Sequence, residues 1–289
     1  MPSPCDPNVH PLALSQRSAQ MLLLLGAPAI LLHLVDYICQ STSPLSTSSR
    51  RDRDTFEVFS GSGSIYKESC KKNLHSDYFE LTSNRGTLND MGSVPGFIYC
   101  LKGALRLRKQ ALLWGGVPCS LLVFMSSGTH QRGFENDMMG DLSLPSVRQS
   151  NLLLSRFCLI VLVCICRNVW WAIEQPASSK LVETPYYSYL MSLRCLNPKF
   201  VRLWLGAFGH WACKPTQLFG SWPGLDKIYL KLSRAQRRRI KDHQKRTGIQ
   251  VVKKTLKRSG GITVLLGNIH PFLELLSWRT LNSNHLFSI

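Results

Sequence analysis

The sequence predicts an α/β domain with a doubly wound, mostly parallel sheet, on three observations. Short apolar runs alternate with helical stretches from residue 51 onward. The first run leads through a Gly/Ser turn into a helix, the order of a βα unit. The 289 residues are 44% apolar and include seven Trp, eight Tyr and twelve Phe, enough to bury one sizeable core.

Taken in order, residues 55–59 read as a buried strand, 60–64 as the turn, 65–73 as a helix and 78–81 as a second strand. Residues 94–108 form a basic helix and 111–114 the next strand. Residues 144–166 are long enough for a helix that packs on a sheet, and 169–173 are β-branched and aromatic enough for the strand after it. Residues 200–205 and 217–219 supply late strands. Three regions are expected: a leader over 1–50, the α/β domain over 51–225 and a basic extension over 226–289.

The leader carries an apolar run, residues 18–35, without Asp, Glu, Lys or Arg. It suits a targeting segment or a short membrane anchor, the one part of the chain through which a membrane would be a partner. The expected location is intracellular, in the nucleus or an organelle. Residues 157–166 are apolar but too short to span a bilayer. The ten cysteines have no regular spacing and no Cys-x-x-Cys, so neither a disulfide framework nor a metal site is expected.

Lys and Arg number 35 against 17 acids, a formal net charge of +18 that favours polyanionic partners. Residues 231–258 hold twelve Lys or Arg and one acid, Asp242. This run reads either as a solvated face or as an arm on phosphates, with Arg237, Arg238, Arg239, Lys253 and Lys254 as contacts. Few aromatics interrupt it, so base stacking is not expected there.

The chemistry concentrates at strand ends. Phe59-Ser60-Gly61-Ser62-Gly63 is a turn at which a cofactor can approach the backbone. Glu80 ends the second strand, where an acid can accept both ribose hydroxyls, and Asp90 can accept from an adenine amino group. Gly115-Gly116-Val117-Pro118-Cys119-Ser120 places a cysteine just past a strand, behind residues that fix its backbone. Glu174 ends the strand after the long helix, and neighbouring strand ends would bring it to the same cleft as Cys119.

In this order the motifs resemble those of the cytosine-5 DNA methyltransferases, within the class I S-adenosylmethionine-dependent enzymes of Rossmann-like fold. The Glu57 to Gly63 segment is similar to the family's Asp-Leu-Phe-Ser-Gly-x-Gly-Gly, Cys119 stands in a counterpart of Gly-Gly-Pro-Pro-Cys-Gln, and Glu174-Gln175-Pro176 stands where the family has Glu-Asn-Val. Residues 126–134 resemble the loop that closes over the target base, and Lys199-Phe200-Val201-Arg202 echoes Gln-x-Arg-x-Arg. The departures are Ser120 for Gln and Gln175 for Asn, and residues 267–271 match a C-terminal family motif only weakly.

The resemblance implies S-adenosylmethionine as cofactor, held by Phe59, Ser60, Gly61, Gly63, Glu80, Asp90 and Pro118. It implies catalysis by Cys119 and Glu174, and nucleic acid as partner, DNA before RNA, with Arg132 and Arg202 added to the phosphate contacts. Two other readings stand beside it: a catalytically inactive methyltransferase fold that binds nucleic acid, and a membrane-tethered basic protein.

Overall fold

The computed structural model describes residues 12–247, apart from 42–49, 82–85, 194–195, 209, 211 and 229–230. Its centre is a six-stranded sheet of order β2-β1-β3-β4-β6-β5. The strands are β1 (Arg53–Val58), β2 (Ser76–Phe79), β3 (Leu107–Gly115), β4 (Trp170–Pro176), β5 (Lys199–Trp204) and β6 (Pro215–Gly220). The first four are mutually parallel, and β6 runs antiparallel to both β4 and β5. This is a broadly Rossmann-like α/β fold, as the alternating pattern predicts.

Alternation along the strands divides the core in two. Leu113, Trp171, Ile173 and Phe219 belong to one cluster, while Leu112, Trp114, Ala172 and Leu218 belong to the other. Both faces are thus covered, which is why the central strands read as unbroken apolar runs. On the first face lie α4 (Val94–Leu105), α6 (Pro145–Cys166) and α7 (Pro185–Ser192), with the one-turn α5 (Ser127–His130) ahead of α6 in the chain. Ser93 caps α4 by accepting the Gly96 N–H at 3.0 Å, and Pro145 opens α6 where no intrahelical donor is lost. Ile65 from α3 (Ser64–Lys71) packs on the second face.

Among the described residues, α6 is the one helix long and apolar enough to cross a bilayer, and it lies within the core. Residues 157–166, read as a short apolar run, are its last turns.

The N-terminal apolar run forms two helices, α1 (Gln16–Leu24) and α2 (Ala29–Ser41), separated at Gly26 by a left-handed turn with φ of 72°. Leu22, Leu31, Val35 and Ile38 are buried in the first cluster. The Ser18 hydroxyl donates to the Cys166 carbonyl at 2.9 Å, and Arg167 donates to the carbonyls of Leu12 and Leu105, each at 2.8 Å. An expected leader therefore shares the core of the α/β domain, since hydropathy alone does not distinguish a core helix from an anchor. At the other end the packing runs past residue 225: Ile228 is buried in the second cluster, and α8 (Arg234–Thr247) docks through Ile240.

Candidate active site at the carboxyl edge of the sheet

In this strand order the chain leaves β1 for β2 on one side and returns to β3 on the other, so the topological switch point lies between β1 and β3. Register aligns the strand ends: Val58 pairs with Phe79 and Gly115, and Gly115 pairs with Ile173. One residue further on, Glu80, Phe59, Gly116 and Glu174 form a row along the carboxyl edge.

The glycine turn is built by two acids. Glu57, buried in β1, accepts the Tyr66 N–H at 2.8 Å at the start of α3, tying strand to helix. Glu80 accepts the Gly61 N–H at 2.6 Å from the end of β2. Between them Phe59, Gly61 and Gly63 adopt φ of 56°, 53° and 67°. Phe59 is the costly member, since a side chain rarely occupies that region. Its ring meets Phe157 edge-on at 5.7 Å.

A Cβ placed on Gly61 would meet nothing within 4 Å, and one on Gly63 would meet only Tyr66 Cδ1 at 3.9 Å. The loop backbone is open to close approach. The Ser60 hydroxyl is buried at the base of this loop without a hydrogen-bond partner among the described residues. Asp90 is half-buried, and its Oδ1 accepts the Gly92 N–H at 2.7 Å in the turn entering α4.

Cys119 sits on the loop after β3, half-buried between exposed Pro118 and Ser120. Two bonds fix this loop. Gly116 donates to the Val58 carbonyl at 2.9 Å, and the buried Gln175 amide donates to the Val117 carbonyl at 2.6 Å. Gln175 is held in turn by the Ser179 hydroxyl at 2.8 Å. The residue after Glu174 thus latches the loop that carries Cys119. The charge of Glu174 reaches the sulfur: burial raises the Cys119 thiol above its ordinary value, Glu174 raises it further, and Lys214 lowers it. The Lys214 ammonium lies 3.4 Å from the Glu174 carboxylate. Neither Gln175 nor Lys214 figures among the site residues expected from sequence. Gln175 stands out there only as a departure from Asn, and Lys214 gives no local signal.

The basic residues divide. Arg132 is 3% exposed, and its guanidinium donates to the carbonyls of Leu121 and Met138 and to Asn151 Oδ1, each at 2.8 Å. It pins the 126–140 segment to α6 and offers no charge to a phosphate, which corrects the contact expected of it. The same segment holds buried His130, whose Nδ1 accepts the Arg132 N–H at 3.0 Å. Arg202, Arg237, Arg238 and Arg239 are exposed, while Lys253 and Lys254, with residues 267–271, lie outside the described residues. No protein-family model matches the chain, and a search of curated proteins finds no match to it.

Glu57 makes the turn sensitive to pH. Burial pushes its carboxyl up from 4.5 to about 7, against the Tyr66 and Ile65 N–H groups that favour the charged form. Between those values the folded chain keeps a proton that the unfolded chain has released. Stability therefore falls as pH rises from 4.5 to about 7 and is level above it, a loss of about 3 kcal/mol. In Glu57→Gln this loss should disappear, because glutamine still accepts the N–H without a charge to bury. Urea melts at pH 5 and pH 8 check it: a difference between the two pH values as large in the variant as in the parent would exclude Glu57 as its source.

Proposed function

We propose that the protein transfers a methyl group from S-adenosylmethionine to carbon 5 of cytosine in nucleic acid, DNA before RNA. The observation that carries this reading is the strand register, which sets Glu174 and the loop bearing Cys119 at the same carboxyl edge of neighbouring strands; the Glu174 charge adds to burial in raising the thiol. The fold is compatible with a methyltransferase-like architecture in general, and the finer assignment is our own.

The open glycine turn and the orphaned Ser60 hydroxyl suit a cofactor with polar groups lying against backbone. Ser60, Gly61 and Gly63 would face it, Glu80 would take ribose hydroxyls, Asp90 the adenine amino group, and Phe59 and Pro118 its apolar surfaces. When bound, S-adenosylmethionine supplies an electrophilic methyl group. The chain's part is to activate the base, because carbon 5 of cytosine is a poor nucleophile.

A raised thiol must first lose its proton. Transfer from Cys119 to Glu174 yields the thiolate and removes the negative charge that held the thiol up. Protonated Glu174 then donates to nitrogen 3 as the Cys119 sulfur bonds to carbon 6, and the π pair displaced from the carbon 5–carbon 6 double bond makes carbon 5 nucleophilic. After methylation the carbon 5 proton leaves to a base, and its electrons expel the sulfur.

Calorimetry with S-adenosylhomocysteine should show micromolar binding, and tritiated methyl groups should appear in cytosine-containing oligonucleotides. Absence of cofactor binding overturns the enzyme. Binding without transfer favours an inactive nucleic-acid-binding fold, the reading that the departures at Ser120 and Gln175 favour.

A further inference from the structure

Strand β5 forms one edge of the sheet, and every second residue faces the same way: Phe200, Arg202 and Trp204. Phe200 is 42% exposed, and the Arg202 guanidinium lies over its ring at 5.6 Å from the centroid. Trp204 is half-buried, and Arg237 from α8 lies over it at 5.4 Å. Helix α8 is held there by its one buried side chain. Ile240 fills a notch at Gly206, where a Cβ would come within 2.6 Å of Ile240 Cδ1, and Gln236 donates to the Ala207 carbonyl at 3.1 Å. The fold thus supplies the aromatic rings that the basic run lacks in sequence.

The direction of this ladder matters. Because β5 and β4 are both antiparallel to β6, β5 ends at the carboxyl edge that holds Glu174. Trp204 pairs with Pro215, next to Lys214, which contacts Glu174. The row of alternating rings and guanidiniums runs along the sheet edge to the carboxyl end, with exposed Arg238, Arg239 and Lys241 on the adjoining helix.

We infer that this edge binds single-stranded nucleic acid, its bases stacking on Phe200 and Trp204 and its phosphates meeting Arg202, Arg237 and the exposed face of α8. Rings left partly exposed at a sheet edge, each with a guanidinium over one face, call for a partner with free base faces, which a duplex keeps inside its stack. The alternating cations call for one with regularly repeated negative charge. The inference rests on the proposed function only in naming the form in which the substrate strand arrives.

The test uses the full chain and fluorescein-labelled oligonucleotides of about 20 nucleotides, single-stranded and duplex, read by anisotropy over a range of salt. The single strand should bind about tenfold more tightly than the duplex. Phe200→Leu should cost about tenfold for the single strand, and Phe200→Tyr should restore it, because only the ring stacks. Joint Arg202→Gln and Arg237→Gln should flatten the salt dependence by about two phosphate contacts. Equal or tighter duplex binding, or indifference to Phe200→Leu, overturns the inference. So does a Phe200→Leu defect confined to phosphatidylserine vesicles, which assigns the edge to a lipid surface. Loss of S-adenosylhomocysteine binding with these results intact removes the proposed function alone, and the reverse pattern removes the single-strand edge alone.

Discussion

Arg132→Met is expected to lower the stability of the fold by about 4 kcal/mol while leaving the charged surface that nucleic acid would meet unchanged. The side chain enters the protein as a hub. Beyond its bonds to Leu121, Met138 and Asn151, it reaches the Met139 carbonyl at 3.2 Å and the Ser150 hydroxyl at 3.3 Å. Methionine fills similar volume but donates nothing, so buried carbonyls lose their partners, each at about 1–3 kcal/mol. Domains are typically stable by only about 5–15 kcal/mol, so the variant sits near the edge of folding. Denaturant melts read the global loss, and proteolysis within 126–140 reads its local part. A phosphate-contacting arginine would give the opposite pattern, with weakened oligonucleotide binding on an intact fold, and that outcome would remove the hub.

The case of Arg132 shows where the sequence stops being informative. Its charge alone suggests surface, and only the convergence of Leu121, Met138 and Asn151 from three segments turns it inward. Strands whose two faces are both buried announce themselves, as at residues 111–114 and 169–173. The start of β3 does not, because Arg108 reads as the end of the basic helix 94–108 and Lys109 and Gln110 carry no apolar pattern; Arg108 is nonetheless in β3, paired with Asp54 of β1. Late strands are legible as apolar runs, but the insertion of β6 between β4 and β5 is a long-range matter that no local pattern encodes. At the site, Cys119 and Glu174 stand in motifs, whereas Gln175 acts on a carbonyl 58 positions away and Lys214 on a carboxylate 40 positions away. The apolar stretch of α1 and α2 is plain in sequence, and its solvent, protein or lipid, is not.

Glu174→Gln should separate the two jobs given to that acid. Methyl transfer is expected to fall by at least about 100-fold, since glutamine cannot take the thiol proton or donate it at nitrogen 3. The Cys119 thiol, however, should become more acidic. Of the causes that set it, Glu174 raises and Lys214 lowers, so removing the carboxylate leaves burial opposed by an ammonium without its nearest acid. Iodoacetamide alkylation across pH 6–10, read peptide by peptide with exposed Cys70 as internal reference, should therefore reach its midpoint at lower pH in the variant. Lys214→Met should move the midpoint the other way. Cys119→Ser should abolish both alkylation at that position and transfer while keeping cofactor affinity. The combination is diagnostic because a misfolded site would slow transfer without making one chosen thiol more reactive. A midpoint that stays put in Glu174→Gln means the carboxylate does not act on the sulfur. Transfer that survives Cys119→Ser means the covalent step belongs to another residue, and with it the reason for placing these two side chains at one edge.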